Sequence, residues 1–251
     1  MVEIYRKRIQ IAPVGFEVDR VVIPAIKEKA EKVYLMVHKD RSKDKATKYA
    51  AAIQRKLKAA NIETELVYCD WENIEEITRV ARDLILKESS NEVAINLASG
   101  SKNHAIGLDR ACMTFRKRKH IHPFYPEAEK WTAWKYPKQQ STGVKKIKQI
   151  PIHRIIVPEP ELTVALKAIK QDAVDIPMHK GKKGVKKKDL AKSLYGDSSK
   201  VNLTKLQRNI TQKLEKTWRA VEIIQVGQSD WISLTDEGKY LRYVLKHEET
   251  W

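Results

Sequence analysis

One stretch of the sequence combines small residues with side chains that can bind a phosphate. Residues 96–107 read NLASGSKNHAIG. The small residues Ser99, Gly100 and Ser101 allow backbone N–H groups to approach a phosphate closely. Lys102 and His104 add a point charge and a hydrogen-bond donor. The stretch therefore predicts a site for a phosphate or a ribose-phosphate backbone; in the alternative, Ser and Gly only begin a helix and Lys102 is solvated.

Two further segments carry weaker signals for ligand binding. In PVGFEVDR, Gly15 permits a tight turn, while Glu17 or Arg20 could contact the edge of a base. The alternative is that Asp19 caps the first helix and that the carboxylates of Glu17 and Asp19 are otherwise solvated. His38 ends an apolar run, where it is either a ligand-facing donor or an ordinary polar residue at a strand end.

An alternation of short apolar runs with amphipathic stretches explains how these segments could meet. The runs RIQIAPV, KVYLMV, ETELVY, EVAINL and HIHPF are separated by helical patterns. This alternation predicts βαβ units around a parallel sheet, with five strands and four helices in a three-layer α/β sandwich. Ligands of open parallel sheets bind beyond the carboxyl ends of the strands, where the three segments above fall.

Several chemistries lack their usual sequence signature. There is no G-x-G-x-x-G after the first strand, no P-loop, no G-x-S-x-G elbow and no H-E-x-x-H. Cys69 and Cys112 have no paired spacing, so we predict buried thiols and neither a disulfide nor a metal site. No signal peptide or long apolar run is present, which predicts a cytoplasmic protein.

The charge of the chain favours a polyanionic partner. The formal net charge is +17, and residues after Tyr136 carry 23 basic and 13 acidic side chains, which predicts that the excess is concentrated in the C-terminal part. We predict a nucleotide-sensing domain over residues 1–136, with a possible extra strand at 131–136. A linker over 137–154 and a second domain over 155–251 follow.

The second domain has the predicted order of three helices, a hairpin and a last helix, which is typical of an α+β winged helix-turn-helix. We predict that the polar face of its third helix, KVNLTKLQRNITQKLEK, contacts base edges in the DNA major groove and that the lysines before this helix contact phosphates. A solvated face and a disordered lysine-rich tether are the alternatives. The predicted DNA-binding residues are Lys186, Lys187, Lys188, Ser199, Lys200, Asn202, Lys205, Arg208, Asn209, Gln212 and, at the tip of the hairpin, Gln228.

The segments PVGFEVDRVVIPAI, KVYLMVHKD and VAINLASGSKNHAIG together resemble the CRISPR-associated Rossmann-fold (CARF) sensors, in particular archaeal CARF regulators with a C-terminal winged helix. The resemblance implies a homodimer whose shared pocket binds cyclic tetra-adenylate or another cyclic oligoadenylate, with no cofactor. Many relatives have two glycines and a threonine before the lysine, where this chain has Ser99, Gly100 and Ser101. This departure from the pattern leaves the identity of the ligand open. The implied pocket residues are Gly15, Phe16 and Glu17 after the first strand and Ser99, Gly100, Ser101 and Lys102 after the fourth.

These observations predict a ligand-responsive transcriptional regulator that binds double-stranded DNA and is not an enzyme. Three alternatives stay open. Lys102 and His104 could assist slow cleavage of a cyclic ligand, as in ring nucleases. The basic tail could belong to an RNA-binding or RNA-cleaving effector, for which Arg242 and His247 supply a chance match to the expected spacing. The Rossmann-like half could also serve only to form a dimer.

Overall fold

The computed structural model describes residues 5–115, 119–132, 135, 138–152 and 158–245. The chain divides into two compact units, Met1–Ile155 and Ile156–Trp251. They are called here the N-terminal unit and the C-terminal unit. Over the described residues, every helix is too short or too polar to cross a lipid bilayer.

A six-stranded sheet forms the centre of the N-terminal unit. Strands β1 to β5 are parallel to their neighbours, and β6 is antiparallel to β5. The strand order is β3-β2-β1-β4-β5-β6, so the direction of winding reverses between β1 and β4, which lie side by side. The strands are β1 Arg8–Pro13, β2 Lys32–His38, β3 Glu63–Cys69, β4 Glu92–Asn96, β5 Ile121–Trp131 and β6 Ser141–Gln149.

Four helices cover this sheet and enclose two apolar cores. The helices are α1 Asp19–Lys27, α2 Thr47–Ala59, α3 Ile74–Lys87 and α4 Lys102–Met113. One core joins apolar residues of α1 and α2 to Val33 and Leu35, and the other joins those of α3 and α4 to Ile9 and Ile95. The predicted Rossmann-like, three-layer α/β sandwich is confirmed. Both cysteines are buried free thiols, as predicted.

The predicted linker over 137–154 is wrong for β6, which pairs with β5 as the edge strand of the sheet. An edge strand has one neighbour and tolerates lysines, so STGVKKIKQ lacks the apolar pattern that identifies a strand. The possible strand at 131–136 is the end of β5 at Trp131, and residues 133, 134 and 136 lie outside the described residues.

The position of β6 also overturns the predicted distribution of charge. The five basic residues between 138 and 154 belong to the N-terminal unit. The C-terminal unit therefore has 18 basic and 13 acidic residues, or +5, while the N-terminal unit has 31 and 19, or +12. The excess is not concentrated in the C-terminal unit, so net charge does not by itself identify a DNA-binding surface there.

The C-terminal unit consists of helices around a four-stranded sheet of order β7-β8-β10-β9. Helix α7 begins with Lys200–Lys205 and continues through π-helical turns at Leu206–Thr211 and Lys213–Thr217. The core of the C-terminal unit includes Leu166, Leu190, Leu206, Ile210 and Ile232. The other elements are α5 Pro160–Gln171, β7 Val174–Asp175, β8 Lys183–Lys186, α6 Lys187–Tyr195, β9 Val221–Val226, β10 Ser229–Leu234 and α8 Asp236–Val244.

Most predicted elements of this unit are present. The hairpin β9–β10 and helix α8 match the prediction, and the Thr235 side chain caps α8 by accepting a hydrogen bond from the Gly238 N–H. Trp231 is buried as predicted, whereas Trp218 is only half-buried. The predicted second helix starts late, because Val185 and Lys186 pair with β10 as part of β8.

Candidate functional site

The loops after β1 and β4 meet at two glycines. A Cβ atom on Gly15 would lie 2.7 Å from the backbone nitrogen of Gly100. Gly100 has a φ of +81°, and a Cβ atom there would lie 2.7 Å from the Cβ of Pro13. The two loops therefore pack backbone against backbone, and each position requires glycine. This contact lies at the point where the strand order reverses, the usual place for a ligand in such sheets.

Helix α4 begins directly after this contact. The Ser101 side chain accepts a hydrogen bond from the His104 N–H at 3.3 Å, and the Ser101 N–H donates to Nδ1 of His104 at 3.1 Å. This reciprocal cap leaves the N–H groups of Lys102 and Asn103 without a hydrogen-bond partner among the described residues. Lys102 itself is exposed. A helix N-terminus with a free lysine in its first turn attracts an anion.

The His104 ring is buried and neutral. Burial, together with the nearby His38, lowers its pKa to about 4. Because Nδ1 accepts the hydrogen bond from Ser101, the neutral ring carries its proton on Nε2. Within the described part of the chain, Nε2 of His104 and the hydroxyl of the buried Ser99 have no hydrogen-bond partner. Two buried polar groups next to the cap are thus unsatisfied.

An aromatic cluster lies behind this helix N-terminus. The Trp71 ring packs edge-on against His38 and against His104, with ring centroids 5.3 Å and 5.5 Å apart. His38 is held in turn by the Asp40 N–H, which donates to its Nδ1 at 2.9 Å. The structure thus brings His38 and His104 to one cluster. Trp71 was missed by the sequence analysis, because a single tryptophan in a loop carries no periodic signal.

Glu17 and Arg20, for which the sequence left contact with a base edge open, form a buried ion pair. Both are buried, and NH1 of Arg20 lies 2.9 Å from the Glu17 carboxylate. The Ser141 hydroxyl donates to Glu17 at 2.7 Å, and Nε of Arg20 donates to the Pro126 carbonyl at 2.8 Å. These hydrogen bonds hold the buried ion pair, and with it the start of α1, to β5 and β6, while Nη2 of Arg20 is buried without a hydrogen-bond partner among the described residues.

The N-terminus of α1 is closed by a distant part of the chain. The side-chain oxygen of Gln139 accepts from the N–H groups of Val18 at 3.0 Å and Asp19 at 3.2 Å. The Gln140 N–H donates to the carbonyl of Phe16 at 2.9 Å, and the Phe16 ring packs against Tyr49. Gln139 thus occupies the N–H groups of Val18 and Asp19 at the start of α1.

A second candidate site lies on helix α7 of the C-terminal unit. A shallow groove of about 490 Å³ follows one face of this helix. Its lining residues recur at the spacing of successive helical turns, and the side chains are exposed. Among the described residues, no acidic side chain lines it. The lining residues are Lys200, Val201, Thr204, Lys205, Arg208 and Asn209.

Four of the predicted DNA-binding residues, Lys200, Lys205, Arg208 and Asn209, thus share one groove, while Gln212 is exposed further along the helix. Ser199 and Asn202 are occupied otherwise. Ser199 caps α7, and the Asn202 amide donates to Asp197 at 2.8 Å, so the two side chains shape the turn before the helix.

The remaining predicted DNA-binding residues lie outside this groove. Lys186 lies over the ring of Trp231, and Lys187 pairs with Asp230 at 3.3 Å. Lys188 is exposed, as is Gln228 in the tight turn between β9 and β10. His247, from the RNA-cleaving alternative, lies outside the described residues.

Fold and site together define the N-terminal unit as a Rossmann-like domain with an open helix N-terminus where its strand order reverses. A protein-family model described as HFX_2341_N:-like, N-terminal matches residues 8–131, just under half of the chain. The uncharacterized protein MJ1513 of Methanocaldococcus jannaschii is 27% identical over 188 residues. This match covers 65% of the chain but only 56% of the length of that relative.

The solved structures that match this chain are more distant in sequence. Csm6 of Enterococcus italicus, bound to cyclic hexa-2'-fluoro-hexa-dAMP, is 12% identical over 59% of this chain and 43% of its own, with a TM-score of 0.41. Can2 of Sulfobacillus thermosulfidooxidans, in complex with cyclic tetra-adenylate, is 10% identical over 92% and 77%, also at 0.41. Protein VC1899 of Vibrio cholerae is 12% identical over 92% and 78%, again at 0.41. At these values the similarities do not support a functional assignment.

Proposed function

We propose that this protein is a ligand-responsive regulator in which the N-terminal unit binds a nucleotide and the C-terminal unit binds duplex DNA. The nucleotide would bind through a phosphodiester group. Occupancy of one unit would change the affinity of the other, as in any linked pair of sites.

The ligand-binding half rests on the contact between Gly15 and Gly100. It places the free first-turn N–H groups of α4 and the exposed Lys102 at the opening of the sheet, while Gln139 closes α1. An anion complements both these donors and the positive charge of Lys102. His104 and Ser99 add neutral polar groups that suit a hydroxyl or a base. The resemblance to CARF sensors makes cyclic tetra-adenylate the first probe, with a homodimer as the binding species.

The proposal of DNA binding rests on the order of helices and strands in the C-terminal unit and on the surface of its helix α7. Helix α6 ends at Tyr195, and a short turn over residues 196–199 leads to α7. The turn begins with Gly196, which has a φ of +88°. Two helices joined by a short, glycine-containing turn are typical of a helix-turn-helix, and the following hairpin is typical of its winged form. The second helix of such a pair enters the major groove with its N-terminal residues, where this protein has the α7 groove.

Titration calorimetry of the full chain with cyclic tetra-adenylate tests the ligand-binding half. Replacing Lys102 with Gln removes one charge from the site, so the Kd should rise at least tenfold, because hydrogen bonds to charged groups contribute about 1.5–3 kcal/mol. Lys58→Gln removes the same charge from an exposed position on α2 and should leave the Kd unchanged. Equal Kd values for the wild type and both variants, or no heat with the wild type, would contradict this assignment.

A further inference from the structure

Val201 is an apolar side chain on a highly polar surface. It lies in the first turn of α7, and 75% of its surface is exposed. It lines the α7 groove together with charged and polar side chains. Neither the core of the unit nor the turn before the helix uses Val201, so it is available to an external apolar group.

Thr204 presents a second methyl group to the same groove. Its hydroxyl donates to the Lys200 carbonyl at 2.8 Å, one helical turn earlier. The hydroxyl is thus satisfied inside the helix, and its methyl group is what remains for an incoming partner. Val201 and Thr204 are three residues apart and therefore neighbours on the helix surface.

The surroundings of these two methyl-bearing residues decide which partner fits. Lys200, Lys205 and Arg208 are cations, and Asn209 carries an amide that can pair with the edge of an adenine. An apolar protein surface would gain nothing from three cations around a small apolar patch. In the major groove of DNA, by contrast, the C5-methyl group of thymine lies beside the hydrogen-bonding edge of its adenine partner and between two lines of phosphates.

We propose that Val201 and Thr204 contact the C5-methyl group of a thymine, so that α7 recognises an A·T pair at a defined position. This proposal rests on the proposed binding of duplex DNA by the C-terminal unit. It assigns sequence recognition to two residues whose side chains carry no charge, and it leaves the affinity for phosphates to the lysines.

Replacement of thymidine with deoxyuridine tests the proposal, since the bases thymine and uracil differ only by the C5-methyl group. Duplexes are first selected from a random library with the full chain, and each thymine of the selected sequence is then replaced singly. One replacement should weaken binding by the wild type about fourfold, the effect expected for one buried methyl group. Val201→Ala should reduce this ratio to about one. Thr204→Ser, which keeps the hydrogen bond to Lys200, should reduce it as well.

Val164→Ala is the matched control, because Val164 is also an exposed valine of the same unit but lies on α5. It should keep the fourfold ratio. If no thymine matters while the wild type binds duplexes, the proposal is wrong and DNA binding stands. If no duplex binds at all, the proposed function fails too. If Val201→Ala instead abolishes self-association of the protein, the groove is an interface between copies and the proposal is overturned.

Discussion

At the scale of single residues, the state of a side chain in the candidate site depends on partners from distant parts of the chain. The sequence indicated that a helix could begin at the small residues around Ser101, and Ser101 does cap α4. Whether His104 is charged depends on Trp71 and His38, which come from other parts of the chain. Glu17 and Arg20 illustrate the same limit, because only the folded chain shows that each is the other's partner.

The buried His104 makes stability depend on pH. Its pKa is about 4 in the folded protein against 6.5 for the free side chain, so the unfolded chain takes up the proton first. Its contribution to stability is complete above about pH 6.5 and decreases as the pH falls towards 4. The decrease should reach about 3 kcal/mol in the free energy of unfolding.

The variant His104→Gln isolates this effect. Glutamine can accept the hydrogen bond from Ser101 in a capping box but does not titrate. Urea unfolding at a series of pH values between 7 and 4 should show a smaller loss of stability for the variant than for the wild type. Parallel pH profiles for the two proteins would mean that His104 is not held in its neutral form.

At the scale of elements, strands with an apolar run were predictable, and the lysine-rich edge strand β6 was not. Strands β1, β2 and β4 have the apolar runs that identify strands, because most of their residues are buried. In β6 only Ser141 and Val144 are buried. The pairing of β6 and the reach of Gln139 back to α1 are long-range contacts that no local pattern encodes. The same holds for β8, whose Gly184 packs tightly against the Ile232 carbonyl.

The cap that Gln139 places on α1 can be tested by hydrogen exchange. Gln139→Ala removes the acceptor for the N–H groups of Val18 and Asp19, and loss of a cap costs about 1 kcal/mol. These two amides should therefore exchange about fivefold faster. Gln140→Ala is the control, because Gln140 bonds to Phe16 through its backbone N–H, which alanine retains. Unchanged exchange in Gln139→Ala would show that the cap is not formed in solution.

At the scale of the whole molecule, the chain carries two surfaces suited to anions on two separate compact units. The sequence predicted the presence of a second unit but assigned β6 to a linker, and with it five basic residues to the wrong part of the chain. The case for DNA binding therefore depends on the arrangement of a few cations on α7 and not on net charge. Arrangement follows from the helical register, which the spacing of Leu206, Ile210 and Leu214 made predictable.

The affinity of the full chain for a selected DNA duplex, measured with and without a saturating cyclic oligoadenylate, tests the central claim most directly. Linked sites typically couple by 1–3 kcal/mol, so the Kd for the duplex should change by about fivefold or more when the ligand is bound. Lys102→Gln should shift this response to higher ligand concentrations without changing the Kd of the unliganded protein for DNA. A duplex Kd that is the same with and without bound ligand would contradict a ligand-responsive regulator.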